Sequence, residues 1–207
     1  VEVTKGPYFA HQGDFATAGA VNMVSRDDFE HSSIGLGVGG SPGYGSPSYR
    51  GLLVASPKFE KTKATFAAEI GRSNGPFDNP EGWDKYKLVN KVTFAIDKAS
   101  SISIGEMSYG GDWHGSGQIP SRAVEQGLVP RFGSIDPDEG GNSARHQLYV
   151  QYKARPTETS ELKTLLYAGT YRFNLYSSFT LFLRDPDNGD EIEQVDRRVF
   201  YGGGLSY

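Results

Sequence analysis

The chain contains no cysteine, which excludes disulfides and thiolate metal sites and is compatible with an oxidising compartment without requiring one. No stretch approaches the ~20 uninterrupted apolar residues of a membrane-spanning helix, so a helical membrane protein is excluded. A basic excess is missing too: 21 Lys and Arg against 25 Asp and Glu leave a net charge of −4, and no nucleic-acid partner is expected. The four histidines, His11, His31, His114 and His146, stand too far apart for metal-ligand spacing, so neither a metal site nor a cofactor is expected. No nucleophile elbow or other motif links the Ser, His and Asp residues, and no enzyme activity is expected.

What is present is glycine and aromatic side chains, with 27 Gly, 12 Tyr and 12 Phe in 207 residues. This fits a β-rich protein of one domain or a piece of one. A soluble all-β protein shares that composition. A mean hydropathy of −0.49 does not exclude a β-barrel, because only every second residue of its strands faces lipid.

Alternation with period two marks the strands. Ala64, Phe66, Ala68 and Ile70 oppose Thr65, Ala67 and Glu69. Tyr86, Leu88, Val92, Phe94 and Ile96 oppose Lys87, Lys91 and Thr93, with Asn90 breaking the apolar side. Leu148, Val150 and Tyr152 oppose Gln147, Tyr149 and Gln151. Ile34, Leu36 and Val38 alternate with glycines, and Ile102 with Ile104 among serines, whereas Tyr49–Ser56 is poorly phased. From Leu165 to Leu183 the odd positions are almost all apolar, and Val195, Val199, Tyr201, Leu205 and Tyr207 return in odd register. The reading predicts about eight strands, near 33–41, 47–56, 63–72, 85–97, 100–109, 144–154, 161–184 and 191–207. Asp187-Asn188-Gly189-Asp190 is expected to form a tight hairpin turn between the last two. Leu165, Tyr167, Tyr171, Phe173 and Phe94 are expected to face lipid, and Arg50, Glu69, Lys87 and Lys91 to pair inside a barrel or line a wet lumen.

The connections alternate in length. Short links at Pro57–Thr62, Asp97–Ser100 and Arg155–Ser160 interleave with Gly71–Asp84, Gly110–Ser143 and an acidic tip at Asp185–Asp190. An outer-membrane barrel has this asymmetry, with tight periplasmic turns on one rim and long external loops on the other. In the longest loop, Ser121 is expected to cap a helical turn over Arg122–Gln126, and Gly127 to end it. The clustered Asp185, Asp187, Asn188 and Asp190 lack the spacing of a calcium-binding EF-hand loop, and a plain polar turn is expected there.

Val1-Glu2-Val3-Thr4-Lys5-Gly6-Pro7-Tyr8, followed by Gly13-Asp14-Phe15-Ala16-Thr17-Ala18-Gly19-Ala20-Val21-Asn22-Met23-Val24-Ser25, resembles the end of the plug domain of TonB-dependent outer-membrane receptors. Tyr109–Glu125, Arg131–Pro137 and the tip Arg184–Glu191 are similar to loops of one broad branch of that family. The resemblance implies that residues 1–30 are the C-terminal end of a plug. Residues 31–207 would then be the N-terminal part of a transmembrane antiparallel barrel of ~22 strands. The chain opens and closes on strand-like sequence, so it is expected to be part of a longer polypeptide. The energy-coupling box and most of the plug are not within it.

The function so implied is uptake of a scarce solute across the Gram-negative outer membrane. The solute would be of siderophore, cobalamin or glycan type. The partners would be a TonB-type energy-coupling protein, a small-molecule or chelate substrate, and outer-membrane lipid. Candidate ligand contacts on the external loops are Phe77, Trp83, Trp113, His114, Arg122, Glu125 and Arg131, aromatic and charged groups suited to capture. The two tryptophans could instead belong to an interfacial girdle, and Arg122 could pack the helical turn. Two other architectures remain open: a small eight-stranded outer-membrane barrel with a structural, adhesive or lipid-modifying role, and a soluble β-sandwich binding module.

Overall fold

The computed structural model describes residues 1–6, 18–41 and 44–207. Strand β1 (Glu2–Lys5) pairs antiparallel with β2 (Gly19–Asn22), from Glu2 opposite Asn22 to Lys5 opposite Gly19. Gly6 ends β1 at φ +81°, a conformation that costs glycine nothing. Residues 7–17 lie outside the described residues, and with them Gly13, where the sequence suggests a tight turn, and the first two residues of the small run Ala16–Ala20.

The remainder is one antiparallel meander. Its strands are β3 (Ser33–Ser41), β4 (Tyr44–Ala55), β6 (Thr62–Ser73), β7 (Trp83–Ala95), β8 (Ser100–His114), β9 (Gly140–Thr157), β10 (Ser160–Ser177) and β11 (Ile192–Ser206). A two-residue β5 (Lys58–Phe59) rides beside β6. The spatial order is β11-β10-β9-β8-β7-β6-β4-β3, so each main strand neighbours its successor. The links 56–61, 96–99 and 158–159 fall on one rim, and 74–82, 115–139 and 178–191 on the other. The long-and-short rhythm of the sequence is therefore a property of the fold. β3 and β11 are the two edges, and among the described residues they do not pair with each other. The eight main strands form an open sheet, not a closed eight-stranded barrel.

Several boundaries differ from expectation. β10 stops at Ser177 instead of running to Arg184. Residues 178–191 fold back on themselves, with Asp190 accepting the backbone N–H groups of Arg184 (2.9 Å) and Asp185 (2.8 Å) and the hydroxyl of Thr180 (2.7 Å). Asp187–Asp190 is thus one bend of a wider loop and not a two-residue hairpin. In the other direction the β8–β9 ladder extends to His114 opposite Gly140, so Trp113 and His114 are strand residues. A five-residue helix α1 (Ser121–Glu125) does form, and Gly127 ends it at φ +71°. Its N-cap, however, is Pro120, with no side-chain cap. Ser121 is already inside the first turn, where its hydroxyl cannot play the cap's part.

Register and the two-residue period divide the side chains between two faces. One row across the sheet joins Ile34, Leu53, Ala68, Leu88, Ser108, His146, Thr170 and Val199. Rows beside it carry Leu36, Ile70 and Tyr86, then Val92, Ile104, Val150 and Leu166, then Phe94, Ile102 and Leu205. This face is apolar and open to its surroundings: Leu166 is 60% and Tyr201 83% exposed. Glu106 interrupts it, its carboxylate accepting from Asn90 Nδ2 and Ser108 Oγ at 2.9 Å each.

The opposite face is polar. Glu69 receives Arg50 Nη2 at 2.6 Å and stands 3.5 Å from both Lys85 and Lys87. Residues 25–28 cross this face near the short-turn rim. Asp27 pairs with Lys91 Nζ at 2.6 Å, the Asp27 carbonyl accepts from Thr65 Oγ1, and Asp28 pairs with Lys63 at 3.3 Å.

The faces correct one expectation. Tyr171 lies opposite Arg145 and Tyr167 opposite Tyr149, which puts Leu165, Tyr167, Tyr171 and Phe173 on the polar face, while Phe94 lies on the apolar one. β10 therefore turns Leu166, Ala168 and Thr170 outward. The rings fit on the polar side because glycines face them: Gly202 lies under Tyr167, Gly169 under Phe200 and Gly105 under Tyr149. A ring over a bare backbone fills space that a Cβ would otherwise occupy.

Among the described residues Ala64, 3% exposed, is the single buried hydrophobic side chain. The accessible surface is 14722 Å², whereas a compact chain of this mass exposes about 9,500 Å². Among the described residues no second sheet packs over this one to make a sandwich core. Exposed apolar area on this scale marks a surface of interaction.

Candidate ligand-binding site at the long-loop rim

The long loops are tied together. Loop 74–82 meets loop 115–139 through the Asp78 N–H on the Phe132 carbonyl (2.9 Å), Asn79 Nδ2 on the Pro137 carbonyl (3.0 Å) and edge-on rings of Phe77 and Phe132, 6.1 Å apart. The His114 N–H donates to the Glu81 carbonyl at 2.7 Å, and the Gly115 N–H to the Glu139 carbonyl at 2.6 Å. The buried Glu139 carboxylate accepts the Ser178 N–H at 2.8 Å, joining the third loop to the second. Such loops are ordered by backbone hydrogen bonds and hold side chains in fixed places. Burial, with Asp136, Asp138 and Glu139 nearby, pushes the Glu191 carboxyl above its ordinary range.

Beneath these loops, on the polar face, is a cleft of about 370 Å³ whose lining includes Trp83, Lys85, Lys87, Tyr109, Trp113 and Ser143. Trp83 opens β7 and Trp113 nearly closes β8, so the ladder brings both rings to one place; Lys85 Nζ lies 4.9 Å over the Trp83 ring. Three of the expected ligand residues, Trp83, Trp113 and His114, therefore converge. The other four do not line this cleft. Phe77 packs on Phe132. Arg122 and Glu125 are exposed on α1, and Arg131 is exposed beyond it.

The cleft continues into a ladder of cations and rings that strand-by-strand reading missed. One row joins Glu69, Lys87, Tyr109, Arg145, Tyr171 and Arg198. Arg145 stacks over Phe200 at 4.5 Å and Arg198 over Tyr171 at 5.0 Å. These contacts hold the guanidiniums flat; Arg145 Nη2 also donates to Gln147 Oε1 at 2.8 Å, and Arg198 pairs with Asp196. The signal in the sequence was the polar phase Arg145-x-Gln147-x-Tyr149-x-Gln151. Only the β9–β10 register shows which phase of β10 shares its face.

A larger concavity, about 700 Å³, lies elsewhere. It is a trough on the apolar face, among Leu36, Val38, Tyr49, Ile70 and Tyr86, where Gly51 and Gly110 leave the backbone bare. Its lining suits hydrocarbon better than a polar ligand. The acidic tip carries two carboxylates already engaged by main-chain N–H groups, Asp185 by Asp187 and Asn188, and Asp190 by Arg184 and Asp185. No protein-family profile, curated protein or solved structure matches the chain.

Proposed function

We propose that this chain is the beginning of the membrane barrel of a TonB-dependent outer-membrane receptor, preceded by the end of its plug, and that the whole protein takes up a scarce solute. The observation that carries the reading is the division of one large sheet into an exposed apolar face and a polar face crossed by residues 25–28. Lipid covers the first in this reading, and the plug and solute occupy the second. The apolar stretch from Tyr86 to Phe94 on β7 suits the ~9–11 residues of a tilted spanning strand. The short turns form the periplasmic rim and the interlocked loops the external rim. The open edges at β3 and β11 leave room for the further strands of a larger barrel.

Solute capture falls to the Trp83–Trp113 cleft and the ladder from Lys87 to Arg198. The protein makes and breaks no bond; an energy-coupling partner in the inner membrane moves the plug. The experiment is a growth and uptake assay. Deleting the gene should abolish uptake of one limiting nutrient, and removing the energy-coupling protein should have the same effect. Recovery of the protein from the aqueous fraction without detergent would contradict the reading.

A further inference from the structure

On the apolar face, Arg172 of β10 and Arg197 of β11 are directly opposed across the ladder, and so are Asn142 of β9 and Asn174 of β10. These four residues line a cleft of about 390 Å³. Like charges directly opposite one another are destabilising unless something neutralises them. Among the described residues neither guanidinium makes an ion pair, a side-chain hydrogen bond or a ring contact. The nearby Glu193 is occupied, accepting from Asn174 Nδ2 at 3.2 Å and from Tyr176 Oη at 3.0 Å. Asp196 and Arg198, which flank Arg197 in the chain, pair with each other on the other face. Arg72, near the same rim of this face, has its own carboxylate in Asp84 at 3.6 Å. The Arg172–Arg197 pair thus stands out as two uncompensated cations side by side.

Their height on the sheet indicates the missing anion. Toward the short-turn rim the same two strands carry Thr170 and Val199, then Ala168 and Tyr201, then Leu166 and Gly203, then Thr164 and Leu205. The arginines therefore crown the apolar belt on its long-loop side. Two guanidinium forks with two amides match the oxygens of a phosphate, and phosphate bound here would have hydrocarbon-compatible surface directly below it. We propose that Arg172 and Arg197, flanked by Asn142 and Asn174, hold the phosphate of an outer-leaflet lipid headgroup, with its acyl chains lying along Val199, Tyr201 and Leu166. This inference rests on the membrane reading above.

The test uses the whole polypeptide that carries this chain, purified in a maltoside detergent and titrated with a fluorescent bisphosphorylated lipid A. The double variant R172Q/R197Q should weaken binding by roughly thirty-fold, the effect of two arginines beside an anionic headgroup, while Arg72→Gln leaves it unchanged. A dephosphorylated lipid should bind the parent protein as poorly as the phosphorylated lipid binds the double variant. Equal binding by parent and double variant, or an equal loss in Arg72→Gln, overturns the proposal. So does inorganic phosphate displacing the lipid at comparable concentration, since the site would then be one for a free anion. The membrane reading fails separately, if the protein stays monodisperse when detergent is removed.

Discussion

Lys91 Nζ lies 2.6 Å from Asp27 Oδ1, joining the segment ahead of the meander to the polar face of β7. Lys91 is 4% exposed, so its ammonium depends on this carboxylate and on the Ser25 carbonyl at 3.4 Å. Burial tends to raise the Asp27 pKa, but the hydrogen bond and charge of Lys91, with Lys153 and Thr93, outweigh it and hold the group below its ordinary value.

Asp27→Asn should free residues 25–28 from the sheet at a cost of about 1–3 kcal/mol, because it leaves a buried charge without its partner. Trypsin cleavage after Arg26 should quicken, and the double variant D27N/K91M should be less damaged than the two single losses combined. Additive losses in that cycle would show that the pair is not coupled.

The same pair gives a dependence on pH. A carboxylate whose folded pKa is depressed contributes stability that is present above the unfolded value of about 3.9 and disappears as pH falls through the folded value. Protection of Arg26 should therefore hold from neutrality to about pH 4 and fail below it. In Asp27→Asn this acid step should be missing. A step near pH 6 would implicate a histidine instead.

Substitutions on β10 should follow its register. Leu166→Arg should destabilise the protein in lipid by about 2–4 kcal/mol, the cost of a cation near the bilayer midplane. Tyr167→Arg, one residue away on the polar face, should cost markedly less. Urea unfolding in vesicles measures both, and equal costs would contradict the assignment of faces.

A Cβ at Gly105 would enter the space of the Tyr149 ring. Gly105→Ala should therefore destabilise by about 1–3 kcal/mol through overpacking. Tyr149→Ser in the same chain should recover most of that loss. Failure of the second change to rescue the first would place the strain in the backbone.

The two tryptophans of the chain, Trp83 and Trp113, line one cleft. If the chain serves the uptake proposed above, binding of the solute should quench or shift their emission, and replacing either with leucine should weaken uptake by roughly ten-fold, as for a central aromatic contact. Unchanged uptake in both variants would move the capture site to the exposed Arg122, Glu125 and Arg131.

Strand positions were legible because a sheet with one apolar face imposes a two-residue period on every strand, and a helix does not. The apolar positions of Tyr86 to Phe94 and Leu148 to Tyr152 share one face as read, although β7 runs Trp83–Ala95 instead of 85–97 and β9 runs Gly140–Thr157 instead of 144–154. The face of β10 was misread, since its apolar phase is rich in tyrosine, which suits a wet interior as well as a lipid boundary. Its face is decided by pairing with β9 and by glycines on neighbouring strands, which are non-local facts. Its end at Ser177 was obscured because Phe179, Leu181 and Leu183 continue the odd phase through a loop held by Asp190. Trp83, Trp113 and His114 were recognisable one by one, but their convergence comes from the β7–β8 ladder. The row of Arg145, Tyr171 and Arg198 was missed, with Tyr171 assigned to lipid, for the same reason: a row across a sheet has no signature along the chain.

The most direct test of the central claim is a nitroxide scan of residues 163–171 in lipid vesicles, reading collision with oxygen and with a water-soluble nickel chelate. Oxygen accessibility should rise at 164, 166, 168 and 170 and fall at the odd positions between them. The opposite phase, or nickel accessibility at 166 and 168 equal to that of an exposed loop, would show that lipid does not cover this face.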